Sequence, residues 1–403
     1  MTAIGHPALR GRSDHRVASR RGRRLIVPGV ATSSFWLMAA IVAVLNLFGL
    51  VMVMSASSVP SVRAGGVPWS LFQKQLAFTV VGVVAMGVML TVSIDVWRRL
   101  AKPALFASIA GLVLVLLPGV GAQANGATRW ISIGPLQLQP SEFAKFGLLL
   151  FVADLLDRRS DHIRDWRWTL VPVISYLALV SALIMKQPNL GTTIIVAFMI
   201  LVVLFVAGVP GGPLALVTAV GASVATAFVA FTPFRRQRFL TFLDPWADPH
   251  NRGLQNVQSL VGLANGGLLG RGPGRSTAKW GFLPFAHTDF IFAVIGEEYG
   301  LVGSLVVVGL FFGFVCTGAW IAVRARDRFS MLVATGITAW LGIQAFMNIG
   351  AVIGIMPITG VPLPFISYGG SALIVNLAAA GLLLNIARHP ADPAPARSRR
   401  RRG

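Results

Sequence analysis

One short run concentrates the acid–base chemistry available to this chain: His287-Thr288-Asp289-Phe290-Ile291-Phe292. A carboxylate followed at once by apolar residues stands where a polar loop meets an apolar core. Desolvation at such a border raises a carboxyl pKa while nearby cations lower it, and a general base needs that tuning. The same Asp289 suits a helix N-cap, so residue type alone leaves both roles open. The run lies near the end of the longest polar interval of the chain, Phe234 to Glu298. That interval also carries Arg235, Arg236, Arg238, Arg252, Arg271, Arg275 and Lys279, and it ends in Glu297-Glu298.

Other residues add candidate chemistry at a distance. Glu142 and Lys145 fall at i and i+3, on one helix face if that segment is helical. A charge deep in a membrane is costly, so the two form either a structural ion pair or a substrate contact. Arg129-Trp130 offers a planar fork for phosphate beside an interfacial aromatic, or else a plain anchoring pair. Gly270-Arg271-Gly272-Pro273-Gly274-Arg275-Ser276 has the glycine content of a phosphate loop. It lacks the lysine arrangement and following helix start of a Walker motif, and reads as a flexible basic loop with phosphate contact open. The six histidines are scattered, and no pair sits at a ligand interval, so no metal site is assigned. A loosely held divalent cation (Mg or Mn) on a pyrophosphate would leave no such signature. Pro357-Ile358-Thr359-Gly360-Val361-Pro362-Leu363-Pro364-Phe365 cannot be plain helix and predicts a re-entrant segment, tolerable only when buried in protein or lining a cavity. Ser367-Tyr368-Gly369-Gly370 then supplies hydroxyls and close backbone approach.

The elements that must position these groups are membrane helices. The 403 residues are 55% hydrophobic and 12% charged, against about 25% charged in a soluble domain. Apolar runs of about 20 residues recur, the length a bilayer requires. They predict spans near 35–56, 76–94, 103–118, 142–156, 168–185, 191–207, 213–231, 301–323, 331–353 and 372–386. The fold class is therefore an all-α integral membrane protein of about ten transmembrane helices, with a large extracellular loop between helices 7 and 8. Residues 1–34 form a basic cytoplasmic tail without order, 35–387 the polytopic domain with its external loop at about 233–298, and 388–403 a second basic tail.

The net charge of +21 sits largely in the two tails and in short loops beside apolar runs. That is the positive-inside pattern and places both termini in the cytoplasm. The tails suit anionic membrane lipid, and nucleic-acid binding is the poorer reading. A polar and basic stretch of more than 30 residues precedes the first apolar run, which argues against a cleaved signal peptide. Cys316 is the only cysteine, so no intramolecular disulfide forms. No internal repeat of the kind that marks transporters is visible.

Several motifs then match one family in order. Trp130, QPSEFAK at 139–145, QPNLGTT at 187–193, FLDPWADP at 242–249, Gln258-Ser259, Gly266-Gly267, Lys279-Trp280, Leu283-Pro284, HTDFIFAVIGEE at 287–298 and TGVPLPFISYGGS at 359–371 resemble the SEDS proteins (shape, elongation, division and sporulation). The resemblance covers about residues 35–387. Lys279-Trp280 and the AVIGEE ending are more similar to its division branch than to its elongation branch.

That resemblance implies a peptidoglycan glycosyltransferase polymerising lipid II on the outer face of a bacterial cytoplasmic membrane, at the division septum. It implies Asp289 as the catalytic base. The substrate contacts it suggests are Arg129, Glu142, Lys145, Arg238, Gln258, Ser259, Lys279, His287 and Ser367. The implied partners are lipid II and undecaprenyl-linked glycan, a class B penicillin-binding transpeptidase, and other divisome membrane proteins. Two positions depart from the pattern: the family commonly has Asp where Asn189 stands and Glu where Phe285 stands. A lipid II flippase and a non-catalytic division scaffold are the competing readings. The flippase leaves unexplained why the polar groups gather on one side.

Overall fold

In a computed structural model the described residues are 29–391, apart from 64, 66, 125, 126 and 135. They form twelve α-helices and a small sheet. Ten of the helices coincide with the ten apolar runs: α1 (Ser33–Arg63), α2 (Ser70–Thr91), α3 (Ile94–Leu114), α4 (Pro140–Arg158), α5 (Trp166–Lys186), α6 (Leu190–Val206), α7 (Gly211–Phe231), α10 (Ile291–Val323), α11 (Arg328–Val352) and α12 (Gly370–Ala387). Seven of them are long and apolar enough to cross a membrane by length and composition alone. The other two helices, α8 (Pro233–Leu243) and α9 (Leu254–Gly266), lie in the long polar interval.

Local sequence sets the helix ends. Pro140 opens α4 at the first turn, where its missing N–H costs nothing. Asn189 caps α6, its side chain accepting from Thr192 N at 3.2 Å, and Asp327 caps α11 through Ser330 N at 2.9 Å. Each satisfies a backbone donor that the helix start leaves free.

α12 is the central post. Of the seven apolar helices it is the most enclosed, with 89% of its residues buried. It packs chiefly on α2, and glycines allow the close approach. A Cβ at Gly381 would meet Met86 O at 2.3 Å, and one at Gly82 would meet Leu377 Cδ1 at 2.5 Å. At the other end of α12, Val30 N donates to Arg388 O at 3.0 Å and Thr32 Oγ1 to Ala387 O at 3.1 Å. The segments leading into α1 and out of α12 are thereby tied together on one side of the bundle. Most of the two expected tails, 1–28 and 392–403, lies outside the described residues.

Two features differ from the sequence reading. The loop between α3 and α4 is a three-stranded antiparallel sheet of β1 (Gly121–Ala124), β2 (Ala127–Ile133) and β3 (Leu136–Leu138). The alternation of Thr128, Trp130 and Ser132 with Arg129, Ile131 and Ile133 carries a strand period that the short loop obscured. β3 is fastened to α12, with Ser371 Oγ donating to Gln137 O at 2.9 Å and Gln139 N to Ser371 Oγ at 3.0 Å.

The second difference concerns α10, which begins at Ile291 rather than near Leu301 and takes Glu297 and Glu298 into its interior. The helix breaks at Gly300, where φ is +68 and ψ −163. A Cβ there would meet Gly270 N at 2.4 Å and Leu268 O at 2.5 Å. The glycine-rich loop fits into this gap. Leu301 N donates to Gly267 O at 2.9 Å, Arg271 N to Glu297 O at 3.0 Å and Gly272 N to Glu298 O at 3.0 Å. These bonds satisfy the groups freed by the break.

Candidate functional site

Asp289 lies half-buried two residues before α10, in the irregular stretch that follows Phe285. Phe285 has φ +61, a conformation uncommon for a bulky side chain. Its carbonyl accepts Thr288 N at 3.1 Å and Phe290 N at 3.3 Å, which curls the chain so that the His-Thr-Asp tripeptide faces the segment between α11 and α12. That segment, residues 353–369, has no regular structure but is largely buried, with Val361, Leu363, Phe365, Ile366 and Ser367 all under 5% exposed.

Three successive carbonyls of the tripeptide are then held. Tyr368 N donates to His287 O at 3.0 Å. Ser367 Oγ donates to Thr288 O at 2.6 Å while accepting from Leu363 N at 2.9 Å. Asn348 Nδ2 donates to Asp289 O at 2.8 Å and to Val361 O at 2.8 Å. Gly360, in the left-handed region, comes close to the carboxylate: a Cβ on it would lie 3.6 Å from Asp289 Oδ2.

Charge around Asp289 comes from two other elements. Burial pushes its carboxyl up to about 6, against the opposing pull of Arg238 on α8 and Arg129 on β2. Burial also lowers the pKa of Arg129, as does the neighbouring charge of Arg238, with Asp289 acting in the opposite sense. Arg129 is fixed by donating Nε to Gln187 O at 2.8 Å and Nη2 to Pro188 O at 2.5 Å. Arg238 is on an exposed helix, its guanidinium 5.4 Å from the Phe234 ring centroid. A carboxyl raised to about 6 and acted on by two guanidinium groups can take a proton, while the guanidinium groups can hold an anion. Burial holds the neighbouring His287 imidazole below its ordinary range.

The remaining candidates are placed differently. Lys145 is 1% exposed and pairs with Glu142 at 2.8 Å. It also donates to Gln344 Oε1 at 3.0 Å and stands 4.6 Å from the Trp340 ring centroid. Gln344 in turn donates to Pro362 O at 3.0 Å. Of the two roles left open by sequence, this geometry is that of a structural pair bracing the irregular segment. Ser259 is enclosed, donating to Asn256 O at 2.8 Å and Val352 O at 3.1 Å. Lys279 is 5% exposed and donates to Gly274 O, to Ser55 Oγ at 3.3 Å and to Glu298 Oε1 at 3.4 Å. Ser367 spends its hydroxyl on backbone. Lys145, Ser259, Lys279 and Ser367 thus bond to protein. Gln258 lines a separate cavity of about 340 Å³ with Asn265, Thr277 and Phe282.

The glycine-rich loop has an acidic core that the sequence reading missed. The Glu297 carboxylate accepts Ser276 Oγ at 2.5 Å, Thr277 Oγ1 at 2.6 Å, Thr277 N at 3.0 Å and Ala278 N at 3.1 Å. Glu298 accepts Ser55 Oγ at 2.6 Å. The loop's N–H and hydroxyl groups that resembled a phosphate cradle already surround a carboxylate. Asn348 was missed as well. Its signal was available: Gln344 and Asn348 put two amides on one face of an otherwise apolar helix. Among the described residues, no group of three or more His, Cys, Asp or Glu is placed to hold a metal ion.

The recurring long apolar helices are those of a multi-pass membrane protein, with Asp289 in the irregular stretch just ahead of α10. Residues 35–392 match the cell cycle proteins FtsW, RodA and SpoVE, and the chain belongs to that family. A probable peptidoglycan glycosyltransferase FtsW of Geobacter metallireducens is 40% identical over 342 residues, 85% of this chain and 91% of the relative. The stage V sporulation protein E of Bacillus subtilis is 38% identical over 358 residues, 89% and 98% of the two chains. Among solved structures, a chain from a peptidoglycan synthase complex that coordinates polymerization and crosslinking superposes with a TM-score of 0.71 at 34% identity, covering 88% of this chain and 96% of that one. The rod shape determining protein RodA of Thermus thermophilus gives 0.66 at 31% identity, covering 88% and 96%.

Proposed function

We propose that this chain is a peptidoglycan glycosyltransferase that polymerises lipid II, with Asp289 as its general base. The enzyme class is that of the named relatives. The observation that supports the catalytic assignment is Asp289 itself: a half-buried carboxyl raised to about 6 and flanked by Arg238 and Arg129.

In this reading the 4-hydroxyl of an incoming GlcNAc attacks the anomeric carbon of a lipid-linked MurNAc. Its proton passes to the Asp289 carboxylate as the new C–O bond forms. The bond to undecaprenyl pyrophosphate breaks on the opposite side, which inverts the anomeric centre. Pyrophosphate is a weak base, so one protein carboxylate suffices. Arg238 and Arg129 hold the negative charge that develops on it, and His287 and Gln258 are candidate sugar contacts. Glu142, Lys145, Ser259, Lys279 and Ser367 act here by holding the walls of the site.

The basic side of the bundle, with Arg98, Arg158, Arg324 and Arg328 at helix ends, faces the cytoplasm, and the Asp289 side faces outward. A class B penicillin-binding transpeptidase is the partner this reading requires, because nothing in the chain resembles a serine acyltransferase. The coupling of polymerization to crosslinking in the related complex supports it. Division septa are the expected location.

The test is lipid II polymerisation by the purified protein with its transpeptidase partner, wild type against Asp289→Asn. Long glycan products from the wild type alone support both assignments. Equal products keep the enzyme and remove Asp289 from its centre. No product from either turns the reading to lipid transport or scaffolding.

A further inference from the structure

The arrangement behind Asp289 is more specific than packing requires. Asp289 precedes α10, whose first internal bond from this region is Ala293 N to Phe290 O at 3.0 Å. The Asp289 carbonyl is therefore left out of the helix ladder. It accepts instead from a side chain on another helix, Asn348 Nδ2, at 2.8 Å. The same nitrogen donates to Val361 O, also at 2.8 Å. Two carbonyl acceptors fix which end of the amide is nitrogen. Asn348 is 2% exposed.

Fixing a carbonyl fixes its peptide plane, and fixing the planes on both sides of a Cα sets its φ and ψ and with them the direction in which Cα–Cβ leaves the chain. Asn348 thus sets the aim of the Asp289 side chain while joining it to the segment that carries Gly360, the residue standing against the carboxylate. Ser367 does the same one residue earlier, at the Thr288 carbonyl.

The geometry points to Asn348 as a positioning residue for Asp289, one amide that locks the base to the 360–368 segment, with Ser367 as its second fastening. This rests on the reading of Asp289 as the base. Asn348 touches no reacting atom, and its effect passes through backbone alone.

The experiment measures kcat and KM for lipid II, with the transpeptidase partner present, for wild type, Asn348→Leu, Ser367→Ala and Asp289→Asn. Thermal midpoints accompany each. Leucine keeps the branched shape of Asn348 at a somewhat larger volume and removes the donor, and the thermal midpoint registers any cost of the added bulk. A positioning role predicts a kcat loss on the order of 10²-fold, the scale of a misplacement of about 1 Å, with KM within about twofold because ground-state binding is untouched. Ser367→Ala should show the same split, smaller. A purely structural role would lower the midpoint and the folded fraction, leaving kcat per folded molecule intact. Folded Asn348→Leu with unchanged kcat overturns the inference, as does a rise in KM alone. If Asn348→Leu does not fold, Ser367→Ala decides, and an unchanged kcat there overturns it. An active Asp289→Asn removes the base itself and the inference with it. Loss in Asp289→Asn beside full activity in both other variants removes only the positioning role.

Discussion

Glu297 Oε1 accepts both the backbone N–H and the hydroxyl of Thr277, at 3.0 and 2.6 Å. The pair joins the first half of the broken α10 to the glycine-rich loop, and Ser276 and Ala278 complete the ring of donors on the other carboxylate oxygen. In Glu297→Gln an amide nitrogen faces donors it cannot accept from, and at least one buried group loses its partner. Such a loss costs about 1–3 kcal/mol. The expected outcome is a lower thermal midpoint together with faster proteolytic cleavage between residues 270 and 280, read by limited digestion of the purified protein.

The pH dependence follows from the raised carboxyl of Asp289. A general base works deprotonated, so kcat should climb as pH rises through about 6 and level off above it. Stability runs the other way. A carboxyl raised from its ordinary 3.8 stabilises the fold below that value, and the contribution is lost as pH rises through about 6. Asp289→Asn should therefore be the more stable protein in neutral solution, with the difference closing towards acid pH. Thermal midpoints of the two proteins across that range check the sign.

The two arginines should respond differently to substitution. Arg129 spends its fork on the Gln187 and Pro188 carbonyls, a geometry an ammonium cannot copy. Arg129→Lys is expected to lower kcat/KM by about tenfold, the worth of about 1.4 kcal/mol. Arg238, on an exposed helix, supplies charge, and Arg238→Lys should retain most activity. Arg238→Ala should raise KM and move the rising limb of the pH profile to higher pH, because Arg238 pulls the Asp289 carboxyl down.

Glu142 and Lys145 form a pair whose side chains are 4% and 1% exposed. Removing one partner strands a buried charge, at a cost of about 3–5 kcal/mol. Glu142→Leu or Lys145→Met alone should depress the yield of folded protein, and the double substitution should restore it. Folded double variant with no polymerase activity would instead reveal a direct substrate contact.

Hydropathy located the ten helices that coincide with apolar runs because their signal is local and long. Of the proposed site, residue type alone pointed to Asp289 and the nearby arginines. A sequence shows donors and hides their acceptors: Lys279 bonds to Glu298, and Ser367 to the Thr288 carbonyl. The start of α10 was placed too late because Glu297-Glu298 and Tyr299 resemble loop, and only the folded loop around them supplies the partners that let two carboxylates enter a helix. Asn348 was passed over for a different reason: with Gln344 it is one of two amides inside an apolar run, and its meaning depends on a carbonyl 59 residues earlier in the chain.

The central position of α12 carries a consequence for biosynthesis. The helix that fills the middle of the bundle leaves the ribosome after α1 to α11, and domains generally form from the N-terminus during synthesis. Helices α1 to α11 must therefore wait in the bilayer around an unfilled axis, and the face of α2 that bears Gly82 stays open until Leu377 arrives. Assembly of the bundle is gated by the synthesis of α12, so a nascent chain halted before residue 370 has every wall of the site and no pillar to hold them.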